Sequence, residues 1–314
     1  MAFDLPKIDY SGKIKEVTLG SGDKAVKVGG ETSYPFYTFE GEMPNPPRIA
    51  MEVYDFEPDD WAEAAVEPFK DVLGDPVAWA KKCIDEYGAE MICLQLRSID
   101  PNGLNRPAEE AAEVALSVIN AVDVPVILWG VASHEKDTEV LRIIAEKSEG
   151  KNVVLGPVEE ADHKQIGAGA IAYKHTVGAS SPIDVNLAKQ LNILLGNLGV
   201  PDDKIIVDPT TGALGYGLEY SYSVMERDRM AALTQEDEKL QNPIICNVGF
   251  ETWKTKEAKL SEKDDPKLGD AKQRGVLIES VTAMSLLVAG ADILIMRHPD
   301  SVKLIRKMIS DLAS

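Results

Sequence analysis

Polar side chains end three apolar runs of this 314-residue sequence. Asp208 ends the run IIVD, Asn247 ends IICN, and Arg297 with His298 follows DILIM. A carboxyl and a carboxamide held close together could hydrogen-bond one polar heterocycle. Arg297 and His298 could pair with a nearby acid or bind loop carbonyls. These positions predict a binding site for a polar ligand, and each side chain could equally have a structural role.

The loop after Asp208 is rich in glycine and hydroxyl groups, in the sequence IIVDPTTGALGYGLEY. Pro209 cannot donate to a strand ladder, so the strand must end at Asp208. Glycines at positions 212, 215 and 217 would let a ligand or partner approach the main chain closely. The loop matches neither a dinucleotide nor a phosphate-loop motif, and a plain connector between strand and helix remains the alternative.

Several kinds of chemistry are disfavoured by the composition. The three cysteines and four histidines are scattered, without the spacing of a zinc site or an iron–sulfur cluster. The chain has 52 acids against 33 bases and a formal charge of −19, which opposes nucleic-acid binding. No apolar run reaches membrane-spanning length, and the N-terminus lacks an apolar signal core. We therefore expect a cytoplasmic protein without a metal of its own.

Strand and helix patterns alternate from residue 47 onwards. Short apolar runs predict strands at residues 48–53, 91–96, 125–129, 152–156, 175–180, 204–207, 243–248 and 292–296. Amphipathic segments predict helices at residues 76–87, 108–122, 137–147, 161–171, 183–198, 218–233, 274–289 and 301–312. Eight such repeats predict a (β/α)8 TIM barrel over residues 47–314, with active-site positions at the carboxyl ends of the strands. An open doubly wound sheet is the weaker alternative, because no nucleotide motif follows the first strand.

Two segments fall outside the repeat. Residues 1–46 form an N-terminal extension, in which residues 13–30 alternate around a Gly-Ser-Gly-Asp turn and predict a β-hairpin that closes the barrel floor or pairs with a partner. Residues 251–273 predict a long charged loop after the seventh strand. This loop is either solvated or a docking flap.

Long stretches of the chain are recognisable. DPTTGALGYGLEYSYSVMERDR, PIICNVGFETWKTKEA and ILIMRHPDSV closely resemble the small (delta) subunit of the corrinoid iron–sulfur protein of the acetyl-CoA pathway. The resemblance extends through FEGEMPNPP, HEKDTEVL and KHTVGASSPIDVNLAKQLNILL, and so along the whole chain.

The resemblance implies a barrel related to the pterin-binding methyltransferases, paired with a large subunit that carries cobalamin and a [4Fe–4S] cluster. Such a pair accepts a methyl group from methyltetrahydrofolate through a separate methyltransferase and passes it to CO dehydrogenase/acetyl-CoA synthase. The small subunit would hold and shield the cobalamin with its barrel top, as a non-catalytic or auxiliary subunit of the methyl-transfer complex. The candidate cofactor-binding residues are then Asp208, Thr210, Thr211, Gly212, Gly215, Tyr216, Asn247, Gly249, Arg297 and His298.

Two other functions remain open. Pterin-binding relatives are expected to carry an acid or amide on the second and third strands, an Asp-Pro on a later strand and an Asn on the seventh. This chain has Asp208-Pro209, Asn247 and, beyond strand two, Asp100, but Leu128-Trp129-Gly130 replaces the polar pair of strand three. The chain could therefore be a folate-dependent corrinoid methyltransferase with an altered site, or a purely structural platform.

Overall fold

The fold is a closed barrel of eight parallel strands, preceded by an antiparallel hairpin. The computed structural model describes residues 5–212, 214, 215 and 217–313. The hairpin strands are β1 (Val17–Leu19) and β2 (Val26–Val28). The barrel strands are β3 (Arg48–Tyr54), β4 (Met91–Gln95), β5 (Val126–Trp129), β6 (Val154–Val158), β7 (Thr176–Ser180), β8 (Ile205–Asp208), β9 (Ile244–Asn247) and β10 (Ala291–Met296). All eight predicted barrel strands, and the TIM-barrel fold, are confirmed.

The barrel closes where β10 pairs in parallel with both β3 and β9. Every residue of β4, β5 and β10 is buried, which explains why these strands are apolar on both faces. One face packs inside the barrel and the other against the surrounding helices, in two separate apolar clusters. The carboxyl ends of all eight strands therefore meet at one rim.

Eleven α-helices surround the barrel in the described part of the chain. They are α1 (Glu63–Val66), α2 (Pro76–Asp85), α3 (Ala108–Ala121), α4 (His134–Lys147), α5 (His163–Tyr173), α6 (Val185–Leu198), α7 (Leu218–Thr234), α8 (Val248–Trp253), α9 (Lys256–Lys259), α10 (Ala271–Ala289) and α11 (Pro299–Leu312). None of the described helices combines the length and hydropathy that a membrane crossing requires.

Caps explain where the helices begin. α6 starts at Val185, two residues later than predicted, because the Asp184 carboxylate accepts hydrogen bonds from the next turn. α10 starts at Ala271, three residues earlier than predicted, because Asp270 accepts from the backbone N–H of Gln273 at 2.7 Å. A short side chain that competes for the backbone thus sets each boundary.

The prediction of one continuous loop over residues 251–273 is wrong. This stretch contains the end of α8, all of α9, a 3-10 turn (Pro266–Leu268) and the start of α10. Trp253 anchors it, because its buried indole N–H donates to Glu279 Oε2 at 2.9 Å. The amphipathic period was hidden because these helices are only four to six residues long. A docking role for this segment stays a prediction.

The N-terminal hairpin closes the barrel floor, which was one of its two predicted placements. Val17, Leu19 and Val28 join the apolar cluster inside the barrel. Asn152, which precedes β6 at the amino-terminal end of the barrel, donates to the carbonyls of Thr18 at 2.7 Å and Gly20 at 3.0 Å. The hairpin therefore contributes to the core and leaves the opposite rim open.

Candidate functional site

The barrel rim holds a cavity of about 200 Å³ at the carboxyl ends of the strands. We call it the rim cavity. Strand ends supply part of its wall, and the loops after them supply the rest. Its lining residues include Gln95, Arg97, Trp129, Glu159, Ser180, Asp208, Thr210, Thr211, Asn247, Phe250 and Glu251. The position agrees with the place where this fold builds its sites.

A larger groove of about 660 Å³ lies outside the barrel mouth, between the end of α2 and the first half of α11. Opposite charges line it, and Lys272 pairs there with both Glu67 and Asp300. Exposed ion pairs of this kind neutralise the groove without creating a preference for a ligand. The rim cavity is therefore the better candidate site.

Asp208 is the last residue of β8 and lies deep in the rim cavity. Ser180 Oγ donates to one carboxyl oxygen at 2.8 Å, and the backbone N–H of Thr210 donates to the other at 3.0 Å. Burial, reinforced by the charges of Glu251 and Glu159, raises the pKa of Asp208 to about 7. Near neutral pH the group can therefore be either a hydrogen-bond donor or an anionic acceptor.

Asn247 ends β9, the neighbour of β8, and forms a carboxamide pair with Gln95, which ends β4 across the barrel mouth. Gln95 Nε2 donates to Asn247 Oδ1 at 3.1 Å, which fixes the orientation of the Asn247 amide. The sequence reasoning missed Gln95. Its signal was a single polar residue within the otherwise apolar run MICLQL, at the end of the second barrel strand.

Trp129 ends β5, and its indole occupies part of the barrel mouth beside β6 and β7. Its indole lies against two glycines, since a Cβ at Gly156 would approach it to 2.8 Å and one at Gly178 to 3.0 Å. Trp129 is itself only 7% exposed. The two glycines thus make room for an aromatic side chain inside the barrel mouth, and the cavity beside it is correspondingly small.

The loop after Asp208 brings several predicted residues to the rim. Thr210 lies at a φ of 66°, and its hydroxyl donates to the carbonyl of Ser181 at 2.5 Å. Thr211 Oγ1 is buried without a hydrogen-bond partner, with the weakly bonding thiol of Cys246 beside it. Gly212 N–H donates to Ser221 Oγ at 3.3 Å. Gly215 is exposed at a φ of 98°, with open space where a side chain would lie.

Tyr216 lies outside the described residues. The other candidates are divided between the rim cavity and the interior. Asp208, Thr210, Thr211 and Asn247 line the cavity, and Gly212 and Gly215 lie in the adjoining loop. Their binding of a cofactor stays a prediction.

Gly249, Arg297 and His298 are not brought to the cavity. Arg297 is buried, donating through Nε to Glu52 Oε2 at 2.7 Å and stacking 3.7 Å from the centre of the Trp61 ring. Gly249 packs against it, since a Cβ there would approach Arg297 N to 2.8 Å. His298 is buried as the cap of α11. These contacts support the structural alternative, and the predicted cofactor role has no geometric support.

The three cysteines are also buried, which affects the pKa of their thiols. Cys83, Cys93 and Cys246 are free and buried, and burial raises the pKa of each thiol. Within the described ranges, no three His, Cys, Asp or Glu side chains are grouped so as to hold a metal ion. The arrangement at the rim therefore suits hydrogen bonding and close packing.

The barrel resembles solved structures of dihydropteroate synthases. The enzyme from Xanthomonas albilineans with 4-aminobenzoic acid aligns with a TM-score of 0.58, covering 90% of this chain and 99% of that one at 13% identity. The enzyme from Thermus thermophilus aligns with a TM-score of 0.53, covering 89% and 98% at 16% identity. At such identities the similarity concerns the fold alone.

The sequence matches are much closer. The acetyl-CoA decarbonylase/synthase complex subunit delta of Archaeoglobus fulgidus is 37% identical, over 99% of this chain and 71% of that protein. Its counterpart in Methanothermobacter thermautotrophicus is 37% identical, over 98% of this chain and 77% of that protein. The family model of the CO dehydrogenase/acetyl-CoA synthase delta subunit matches residues 16–311. The chain therefore belongs to the delta-subunit family of CO dehydrogenase/acetyl-CoA synthase.

Proposed function

We propose that this chain is a non-catalytic subunit of a methyl-transfer complex. It docks a large subunit that carries cobalamin and a [4Fe–4S] cluster, and its rim holds and shields the corrin. The observation that carries this proposal is an exposed apolar stripe along the outside of α10, which suits a subunit interface. Three exposed apolar residues of α11 extend it, interspersed with the exposed charges of Lys307 and Asp311. Membership of the delta-subunit family supports a role inside an assembly.

The outer side of α10 lacks exposed charge beyond its first turn. Leu277 is 56% exposed and Val281 62% exposed, and Val288 continues the same stripe. Glu279, the one charged residue after Arg274 in this helix, is buried towards the core. A helix that is apolar on its buried and its outer side needs a partner for the outer side.

The neighbouring helix α11 extends this surface. Leu304, Met308 and Leu312 are each about two-fifths exposed and recur every four residues. Arg306 donates to the carbonyls of Tyr87 and Gly88 beyond α2, so Leu304 and Met308, which lie about 160° around the helix from it, face away from α2. They face α10, the other helix that packs on α11. We call the exposed residues of both helices the α10–α11 surface.

The rim is suited to a corrin through its backbone and its unused polar groups. Gly215 has open space above it, and Thr211 Oγ1 lacks a hydrogen-bond partner among described residues. When bound, cobalamin would supply the cobalt that carries the methyl group from a separate methyltetrahydrofolate methyltransferase to acetyl-CoA synthase. This chain would exclude water and orient the ring. The buried, separated cysteines favour placing the [4Fe–4S] cluster on the partner.

Metal analysis tests this function. We expect the chain expressed alone to contain neither iron nor cobalt in stoichiometric amount. Co-expressed with its large subunit, it should copurify with that subunit together with both metals. Iron or cobalt in stoichiometric amount in the isolated chain would contradict the division of cofactors between the subunits.

A folate-dependent methyltransferase is the second candidate function. It is favoured by the grouping of Gln95, Asp208 and Asn247, an amide, an acid and an amide, in one cavity. Trp129 opposes it, because the indole occupies the place of the polar pair expected on the third barrel strand and leaves a cavity of only about 200 Å³. A pterin would lose hydrogen-bond partners there at about 1 to 3 kcal/mol for each buried group.

We therefore expect methyltetrahydrofolate to bind the isolated chain with a Kd no lower than about 1 mM. Titration calorimetry measures this directly. Binding of methyltetrahydrofolate in the micromolar range would instead favour the methyltransferase. A Trp129→Asn variant provides the comparison, since it restores space and a polar side chain at the same position and should bind the pterin more tightly.

A further inference from the structure

The size of the rim cavity limits what can enter it. Its volume is about 200 Å³, whereas pockets for whole ligands usually enclose about 300 to 1,000 Å³. Trp129 restricts it on one side, packed against Gly156 and Gly178. The cavity therefore accommodates one small group projecting from a larger molecule.

The walls leave specific hydrogen-bonding groups unused. Gln95 Nε2 already donates to Asn247 Oδ1, so Asn247 Nδ2 and Gln95 Oε1 are left as a donor and an acceptor, without another side-chain bond among the described residues. Thr211 Oγ1 is buried, with only the weakly bonding thiol of Cys246 beside it. The unused donor and acceptor line the cavity, so they suit a ligand or water that can both donate and accept.

The charges around the cavity discriminate against an anion. Asp208, Glu159 and Glu251 surround it, and the pKa of Asp208 is raised because burial and these neighbours disfavour negative charge. Arg97 also lines the cavity, but it pairs with Asp100 Oδ2 at 3.1 Å and stacks over Phe250. Lys254 pairs with Glu251, and His134 Nδ1 lies 3.6 Å from Glu159 Oε2, so these cations beside the cavity are already paired with acids. A neutral group is therefore preferred over a carboxylate of the same shape.

We propose that the rim cavity binds one primary carboxamide group, whose N–H donates to Gln95 Oε1 and whose carbonyl oxygen accepts from Asn247 Nδ2. A carboxamide is small and neutral, and it combines a donor with an acceptor as the walls require. The choice of ligand rests on the proposed function, because a corrin over the rim would present amide side arms to the cavity. An Asn or Gln side chain of a partner protein is the other source of the same group.

The test uses the full chain and three probes of similar size: propionamide, propionate and propylammonium. Side-chain amide signals of Asn247 and Gln95 are followed by NMR as each probe is added. We expect propionamide to shift both signals, with a Kd at least about tenfold lower than that of either charged probe. A charged probe that binds as tightly as propionamide, or failure of propionamide to shift these signals, would overturn the proposal.

Variants separate the cavity from nonspecific binding. Asn247→Asp keeps the side-chain shape but replaces the donor by an acceptor, and it should weaken propionamide binding at least about tenfold. Asn197→Ala, in the exposed last turn of α6 at the opposite end of the barrel, should leave it unchanged. If Asn247→Asp does not fold, Gln95→Met removes the proposed acceptor oxygen at similar side-chain length and serves as the second variant. Equal propionamide affinity in the wild-type chain and a folded cavity variant would refute the assignment.

Cobinamide, a corrinoid with intact amide arms, shows whether the bound carboxamide comes from a corrin or from a partner protein. Shifts of the Asn247 and Gln95 signals at lower concentrations of cobinamide than of propionamide would support a corrin side arm. Binding of propionamide with exclusion of cobinamide would support a partner's side chain. Assembly with the large subunit is measured separately, so a chain that assembles but ignores propionamide disproves only the carboxamide site. A chain that binds propionamide but never assembles disproves only the proposed subunit role.

Discussion

Replacing both Leu277 and Val281 with glutamate should weaken association with the large subunit by at least about 100-fold. Both side chains lie at the centre of the outer face of α10 and are more than half exposed in this chain. In the proposed complex they would be buried, and a buried carboxylate without a partner costs far more than the lost apolar contact. Because neither side chain belongs to the barrel core, the melting temperature of the isolated chain should change little.

A matched control uses the far side of the barrel. Ile171 on α5 and Ile193 on α6 are 40% and 38% exposed, somewhat less than Leu277 and Val281. Both lie outside the α10–α11 surface. Glutamate at both positions should leave assembly intact. The measurement is the Kd of each variant for the large subunit, by calorimetry or by sedimentation. Undiminished assembly of the α10 variant would remove this surface from the interface.

The barrel could be predicted because its signals are local and repeated. Each strand is a short apolar run, and each boundary is fixed by a nearby residue such as Pro209 or Asp184. The eightfold repeat then left few topologies open. The short helices between residues 248 and 259 could not be predicted, because four to six residues are too few to show a helical period.

The site was predicted only in part, because strand ends do not reveal the side-chain environment. Arg297 follows a strand as Asp208 ends one, yet it turns into the interior to meet Glu52, 245 residues away in the chain. Gln95 was not predicted as a site residue, because it lies within an apolar run. The space taken by Trp129 depends on Gly156 and Gly178 from two other strands. Such long-range packing leaves no local pattern in the sequence.

The glycine-rich loop offers the sharpest distinction between a cofactor-facing rim and a platform that is purely structural. Gly215→Leu should reduce methyl transfer by the assembled complex at least about tenfold, because an interface packed to interior density has no room for four added carbons. Subunit association should survive, since the loop lies at the rim and not on the α10–α11 surface. Transfer rates are measured per folded heterodimer.

Gly150→Leu is a closely matched control for backbone strain. Gly150 and Gly215 both have positive φ, 78° and 98°, and neither has an atom within 4 Å of the place where a Cβ would lie. The strain of a left-handed leucine, about 1 to 2 kcal/mol, should therefore be similar at the two sites. Gly150 lies between α4 and β6, at the amino-terminal end of the barrel, where this fold places stability and not function. If both variants lose equal stability but only Gly215→Leu loses transfer, the loss arises from what the rim contacts. Equal transfer rates in the two variants would assign the loop to connection alone.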